Sequence, residues 1–363
     1  MKGLVRKRKD GRWEGRVELP PDPITGKRRQ KYVYASKRQE CQKLVNDIIY
    51  QLQTGTFADA GKLTIDAYLE QWFSVYCKKL ETTTKEGYKR YIDNHIIPYF
   101  KGKKLKNLRP IHIEEFYNYE REKEYSEKTI LQIHRIFSRA LKHAVKNGLI
   151  PTNPCSLVDP PSPDDFEITV PDVSQFYAIL DAARNTEHEI PVLLAGMCGL
   201  RREEVFGLTW NDIDFKNSTL TIRQVVVPVS GGLEVKPPKT KKSARTISVP
   251  ADVLKVLAVK KSIGYVISND GNPSHPGNYS HRFKNFLASN KLPHIRFHDL
   301  RHFHATLMLD ADIDIRHVQN RLGHSNITMT SKYQHIRPKG DVAVVEKIDQ
   351  YLRGGQNAGQ KQN

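Results

Sequence analysis

Four separated segments of the chain carry residues that could do chemistry. "CGLRREEV" contributes Arg201, beside a glycine that lets backbone come close. "KPPKTKKSART" puts Lys236, Lys239, Lys241, Lys242 and Arg245 on an expected hairpin. "HDLRHFH" holds His298 and Arg301, three apart and therefore neighbours on one helical face. "RLGHSNITMTSKYQHIRP" holds His324 after a helix-ending glycine, then Tyr333 nine residues later and His335 two beyond that. Two arginines and two imidazoles suit a phosphate whose equatorial oxygens gain charge during transfer, because arginine's planar fork binds such oxygens in pairs. Phosphoryl transfer asks mainly for positioning and electrostatics, plus one nucleophile. Tyr333 is the available nucleophile.

Other chemistries fit less well. There is no Gly-rich phosphate loop, so ATP or GTP use is not expected, and no GxSxG. His298 and His302, four apart on an expected helix, have metal-ligand spacing. Asp299 is not where a metalloprotease glutamate belongs, however, and Arg296 and Arg301 would crowd a second cation. Each residue taken alone also has a bland explanation. Arg201 is one of 58 Lys and Arg, His298 could be a satisfied core histidine, and Tyr333 is one of 16 tyrosines. The phosphate reading rests on the set, in its order and spacing.

The bulk properties agree with a polyanionic partner. The 363 residues carry 58 Lys+Arg against 40 Asp+Glu, a net charge of +18, which points to nucleic acid first and an anionic membrane surface second. No run of 18 apolar residues occurs, and "MKGLVRKRKDGRWEG" lacks the apolar core of a signal peptide. Cys41, Cys77, Cys155 and Cys198 are scattered without a CxxC, as expected for reduced thiols in a cytoplasmic protein.

The elements that must position these residues fall into three parts, a multidomain α+β chain. Residues 1–60 read as a small three-stranded sheet plus a helix. Asp10-Gly11 makes the first turn, "QKYVYA" the third strand, and Ser36 with Gln39 an expected capping box ahead of Leu44, Val45, Ile48, Ile49 and Leu52. This sheet carries Arg6, Arg8, Arg12, Arg16, Lys27, Arg28, Arg29 and Lys31, and a β-ribbon fits a DNA groove. Residues 62–152 read as an all-α bundle of four helices, with apolar faces Leu63/Ala67/Trp72/Phe73/Tyr76, Tyr88/Tyr91/Ile92/Ile96, Ile113/Phe116/Tyr117 and Ile130/Ile133/Phe137/Leu141/Ala144. A proline-rich linker spans 153–170. Residues 171–352 read as a mixed, mainly-α domain with a small antiparallel sheet, opened by a capping pattern at Asp172 and Gln175. The polar tail 353–363 reads as disordered.

The set resembles that of the tyrosine recombinases, the family of phage and integrative-element integrases. "GLRREEV" resembles the family's first arginine box, "PKTKKSARTISVP" its lysine hairpin, "HDLRHFHAT" its His-x-x-Arg box, and "LGHSNITMTSKYQH" its last box, with His and Tyr nine apart. Glu204, three after Arg201, fits the acidic position that orients the arginines. The basic sheet looks like an arm-site-binding domain, the bundle like a core-binding domain, and 171–352 like the catalytic domain.

The resemblance implies a site-specific recombinase that integrates and excises a mobile element of a phage or conjugative transposon. Tyr333 would attack a DNA phosphodiester and keep its 3′-phosphate, releasing a 5′-hydroxyl. Arg201 and Arg301 would hold the non-bridging oxygens, Lys239 would protonate the leaving 5′-oxygen, and His298 and His324 would assist by proton transfer and hydrogen bonding. The covalent link conserves bond energy, so neither ATP, metal nor any other cofactor is implied. Implied partners are double-stranded DNA at core and arm sites, three further copies in a homotetramer, an excisionase and a host DNA-bending protein, in a bacterial cytoplasm. The stripe Val342, Val345, Ile348 and Leu352 would pack on its own domain or on a neighbouring protomer. The rival readings are a type IB topoisomerase-like relaxing enzyme, a non-catalytic DNA-binding regulator and a metal hydrolase at the histidines.

Overall fold

A computed structural model of the chain describes residues 3–21, 28–54, 57, 61–163, 170–240, 242–269 and 271–324. Tyr333, His335, the 342–352 stripe, the tail, Lys27 and Lys241 lie outside the described residues. The chain divides into two compact units, Met1–Asp165 and Phe166–Asn363, with the division inside the proline-rich segment.

The first unit opens with a meander of β1 (Gly3–Lys7), β2 (Trp13–Leu19) and β3 (Arg29–Ala35), all antiparallel. Alternation puts Val17 and Leu19 on one face, under α1 (Arg38–Gln53), whose Cys41 and Val45 are buried. The opposite face leaves Leu4, Tyr32 and Tyr34 exposed beside Arg6 and Arg16. Two expectations fail at α1. Lys37, not Ser36, occupies the N-cap and makes no side-chain cap bond, because β3 runs to Ala35 and leaves Ser36 in the connecting bend. Leu44 is exposed, since the buried stripe runs through Cys41 and Val45.

The helices that follow are α2 (Ile65–Tyr76), α3 (Thr82–Tyr91), α4 (Ile97–Phe100), α5 (Pro110–Glu122) and α6 (Glu127–Lys146). A π-helical stretch, Ile92–Ile96, joins α3 to α4 in one rod, so four rods form the bundle. The faces expected on α5 and α6 are buried as a set. On α2 the stripe is different: Ile65, Tyr68, Leu69 and Trp72 face inward, at 3- and 4-residue spacing, while Ala67 and Tyr76 are exposed. Tyr68 and Trp72 fasten α2 to α6 through bonds to the Ala140 carbonyl (2.6 Å) and His143 Nδ1 (2.8 Å).

In the second unit α7 (Val173–Ala183) begins with the reciprocal cap expected of Asp172 and Gln175. The helix α8 (Glu189–Gly196) is apolar almost all round and buried at every position but Ile190. After α9 (Arg202–Gly207) come β4 (Ile213–Asp214), β5 (Thr219–Ile222), β6 (Val225–Val229), β7 (Gly232–Lys236) and β8 (Arg245–Ser248). These make two separate sheets, β4-β5-β8 and β6-β7. The lysine segment is therefore not a hairpin between paired strands, because β7 pairs with β6 and β8 with β5. Next come α10 (Ala251–Val259), a small ribbon of β9 (Ser268–Asn269) and β10 (Asn272–Pro273), α11 (Pro276–Ser289), α12 (Phe297–Asp310) and α13 (Ile315–Leu322). The core of this unit gathers α7, α8, α11 and α12 around Phe176, Leu194, Phe206, Tyr279, Phe283 and Leu300. No helix of the described residues is long and apolar enough to cross a membrane.

Candidate active site

Glu204 is the hub of the site. It lies in the first turn of α9, is 1% exposed, and accepts the Arg201 backbone N–H at Oε2 (2.8 Å). Its Oε1 accepts Arg201 Nη1 at 2.8 Å. Arg245 grips the same carboxylate with both terminal nitrogens, each at 3.0 Å, and Arg301 Nη1 stands 3.8 Å from Oε2. Burial would raise this carboxyl's pKa, but the hydrogen bonds and charge of Arg245, then the charges of Arg301 and Arg201, overcome it and hold the group at about 2. Three guanidiniums share one carboxylate, so two positive charges remain for an incoming anion.

The same three arginines bind three consecutive carbonyls at the end of α13. Arg245 Nε donates to Arg321 O (2.6 Å), Arg301 Nη2 to Leu322 O (2.5 Å) and Arg201 Nη2 to Gly323 O (3.2 Å). A helix end leaves such carbonyls unpaired and carries partial negative charge, which makes it a natural partner for cations. Arg301, 1% exposed, also donates to Gly199 O (2.5 Å) and so ties the turn after α8 to α12 and α13. Two glycines make the approach fit. Gly199 (φ +72°) has no room for a Cβ, which would sit 2.5 Å from His304 Cδ2. Gly323 (φ +64°) ends α13 in the left-handed conformation, and a Cβ there would meet Arg245 Nη1 at 2.9 Å.

His324 follows directly and is 4% exposed. Burial, then the charges of Arg301, Arg201 and Arg245, push its pKa down to about 3, so the ring is neutral at pH 7. His298, in the first turn of α12, is open to solvent, and partial desolvation followed by the Arg301 charge lowers its pKa. His302 packs edge-on against it at 4.7 Å and is lowered to about 4 by burial and by His298. Behind the arginines lies His304. Arg321 Nε donates to its Nε2 (3.0 Å), so Nδ1 carries the proton and donates to Gly196 O (3.1 Å). Burial holds His304 at about 3.

The structure thus brings together Arg201, Glu204, Arg301 and His324, with His298 one turn away on α12. Lys239 stands apart, exposed on the segment between β7 and β8, and makes no hydrogen bond or ion pair among the described residues. Tyr333 is outside the described residues. Tyr279, a tyrosine of the same unit, is unsuited as a nucleophile: it is fully buried, bonded to His188 Nδ1 (3.1 Å), and desolvation raises its pKa well above an ordinary phenol's. Asp299 is occupied in gripping Arg296, with its closest contact at 2.7 Å, while its other oxygen accepts the Arg296 backbone N–H (2.8 Å). No group of three His, Cys, Asp or Glu among the described residues could hold a metal ion. Sequence reasoning names Arg245 among the cations of "KPPKTKKSART" but gives it no place in the site. Its only local sign is its place at the start of β8, and strand alternation does not tell a buried guanidinium from an exposed one.

Comparison with known proteins follows the same lines. The Phage integrase family profile matches residues 168–339, and the profile of the phage integrase N-terminal SAM-like domain matches residues 64–120. The chain is 27% identical over 364 residues to a tyrosine recombinase XerC-like protein of Caldanaerobacter subterraneus subsp. tengcongensis, covering 89% of this chain and 92% of that protein. It is 25% identical over 370 residues to the ICEBs1 integrase of Bacillus subtilis, covering 96% and 100%. Among solved structures, the Tn1549 transposon integrase in complex with a circular intermediate DNA superposes with a TM-score of 0.71 at 20% identity, over 80% of this chain and 99% of that one. The lambda integrase tetramer bound to a Holliday junction gives 0.60 at 19% identity, over 91% and 94%.

Proposed function

We infer the reaction from a premise the comparisons establish: the chain belongs to the phage integrase family of tyrosine recombinases. It is a site-specific DNA recombinase, an integrase that cuts and rejoins strands. The observation that carries the mechanism is the guanidinium cluster of Arg201, Arg245 and Arg301 on one buried carboxylate, with surplus positive charge beside His324. A phosphodiester placed there gains most as its non-bridging oxygens acquire charge, because the donors are already fixed in a desolvated pocket.

In this reading Arg201 and Arg301 clamp the non-bridging oxygens, and Tyr333, nine residues beyond His324, attacks the phosphorus. The P–O5′ bond breaks as the P–O bond to tyrosine forms, the phenol proton passes to a histidine of the site, and Lys239 delivers a proton to the leaving 5′-oxygen. The exposed position of Lys239 suits a residue that meets DNA from a loop. His324, neutral at pH 7, and His298 donate or accept hydrogen bonds to the transition state. Glu204 touches no substrate; it holds the arginines in place. Rejoining is the reverse attack by a 5′-hydroxyl. Double-stranded DNA is the substrate, four copies act on two duplexes, the basic sheet of residues 1–60 reads arm sites, and an excisionase and a DNA-bending protein set direction.

The test is Tyr333→Phe on a nicked suicide substrate. The variant should bind DNA, since the hydroxyl adds little beside many phosphate contacts, and should form no covalent adduct. A normal adduct yield would remove Tyr333 from the mechanism.

A further inference from the structure

A depression lined by cations lies beside the candidate active site. Between α9, α11 and the start of α12 is a depression of about 490 Å³ with His298 at its edge. Ile295 and Phe297, both buried, form an apolar floor. Arg202 and Lys284 stand in its wall. Arg202 is held in place rather than free to wander: Nη1 donates to Ser280 Oγ (2.7 Å) and Nη2 to Glu203 Oε1 (2.8 Å). Those two bonds use two of its five N–H donors, and Nε is buried with no partner among the described residues. Lys284 is exposed and makes no ion pair among the described residues. Arg296 adds a third cation to the lining, although it also pairs with Asp299, and Glu203 is the one carboxylate there.

We propose that this depression is a second phosphate subsite, which takes the DNA backbone next to the scissile phosphodiester with Arg202 and Lys284 as its cations. A fixed guanidinium and an exposed ammonium beside an apolar floor match a phosphate and the edge of its sugar. A free small anion would make no use of Ile295 and Phe297. The inference rests on the recombinase reading, because His298 joins the two sites: it lines the depression and sits three residues from Arg301.

Neutral methylphosphonate linkages, placed one at a time beside the scissile position in attachment-site DNA, test it with the full chain. Arg202→Ala and Lys284→Ala should each weaken binding of unmodified DNA about tenfold, the cost of one charge-assisted phosphate contact. The slope of log affinity against log salt should become shallower by about one unit. At one flanking linkage the neutral group should weaken the wild-type protein but leave both variants unaffected. Lys284→Ala alters only an exposed side chain and keeps the test valid if Arg202→Ala folds poorly. If the wild type forms its covalent adduct but the neutral linkages and the substitutions add independently at every position, the subsite is overturned and the recombinase reading stands. A wild-type protein that forms no adduct on any suicide substrate overturns both.

Discussion

Arg245 meets Glu204 end-on, Nη1 to Oε1 and Nη2 to Oε2, each at 3.0 Å, with the two side chains 7% and 1% exposed. This is the bidentate geometry in which a guanidinium and a carboxylate bind most strongly. Removing one partner of a buried pair costs up to about 3–5 kcal/mol, and here Arg201 still holds Glu204 while the Arg321 carbonyl loses its donor. Arg245→Ala should therefore lower the melting temperature of the second unit by up to about 6–20 °C, at about 2–4 °C per kcal/mol for a domain of this size. Arg245→Lys should lose less, since it keeps the charge but not the fork. The check is thermal unfolding of both variants. An unshifted Arg245→Ala would mean that Arg201 and Arg301 hold Glu204 unaided.

Lys239 and the arginines should fail in different ways. An alkoxide leaves poorly without a proton, so Lys239→Ala should cleave ordinary DNA poorly. A 5′-bridging sulfur leaves without that proton and should rescue Lys239→Ala, but not Arg201→Ala, whose proposed contact is to the non-bridging oxygens. Cleavage of both substrates by both variants separates the two roles. Without rescue, the acid is another lysine of the segment, with Lys241 the first to try.

Much of the candidate site was legible in the sequence because the proposed phosphate chemistry asks for particular side chains at particular spacings. "HDLRHFH" and "LGH" put a helix start and a helix end on the page, and Gly323 ends α13 as its type requires. What the sequence could not show is which groups meet. Nothing in "KPPKTKKSART" distinguishes Arg245, which is buried on Glu204, from Lys239, which is exposed. The segment also reads as a hairpin because it joins two strands, yet those strands belong to different sheets, a fact of pairing rather than composition. The short strand β6, "VVVPV", is hard to read from the sequence for a related reason: a proline inside a valine run demotes it, and only an edge position, as in a two-stranded ribbon, makes it tolerable.

Acid should weaken the second unit in two stages. His302, His304 and His324 are held at about 4, 3 and 3, below the ordinary 6.5. From about pH 6.5 downward the unfolded chain takes up protons that the folded chain refuses, so stability falls as pH falls. Glu204, at about 2 against 4.5 unfolded, contributes stability that is fully present above about pH 4.5 and is lost as pH falls toward 2. Melting temperatures at constant ionic strength should be level near pH 7–8, decline below 6.5 and decline further below 4.5. His304→Gln should flatten the first decline. Melting temperatures that stay level from pH 7.5 to 5.5 would show these histidines to be protonated in the folded protein.

The basic sheet should carry a DNA-binding function separable from catalysis. Its outer face sets Arg16 among exposed Leu4, Tyr32 and Tyr34, while other arginines are already engaged: Arg6 with Glu14 (2.7 Å) and Arg12 with Asp10 (2.8 Å). The exposed aromatic and cationic residues, rather than the total charge, should thus form the contact surface, and phosphate contacts would make its binding salt-dependent. A protein starting at Gly61 should keep cleavage and rejoining at the core site, and should lose protection of a second set of sites and efficient integration. In the full-length chain, replacing Arg16, Tyr32 and Tyr34 together by alanine should give the same loss without disturbing Val17, Cys41 and Val45 on the other face. Footprinting of the three proteins on attachment-site DNA decides the matter. If the triple variant protects every site that the full chain does, the sheet's exposed face takes no part in recognition and its charge serves only solvation.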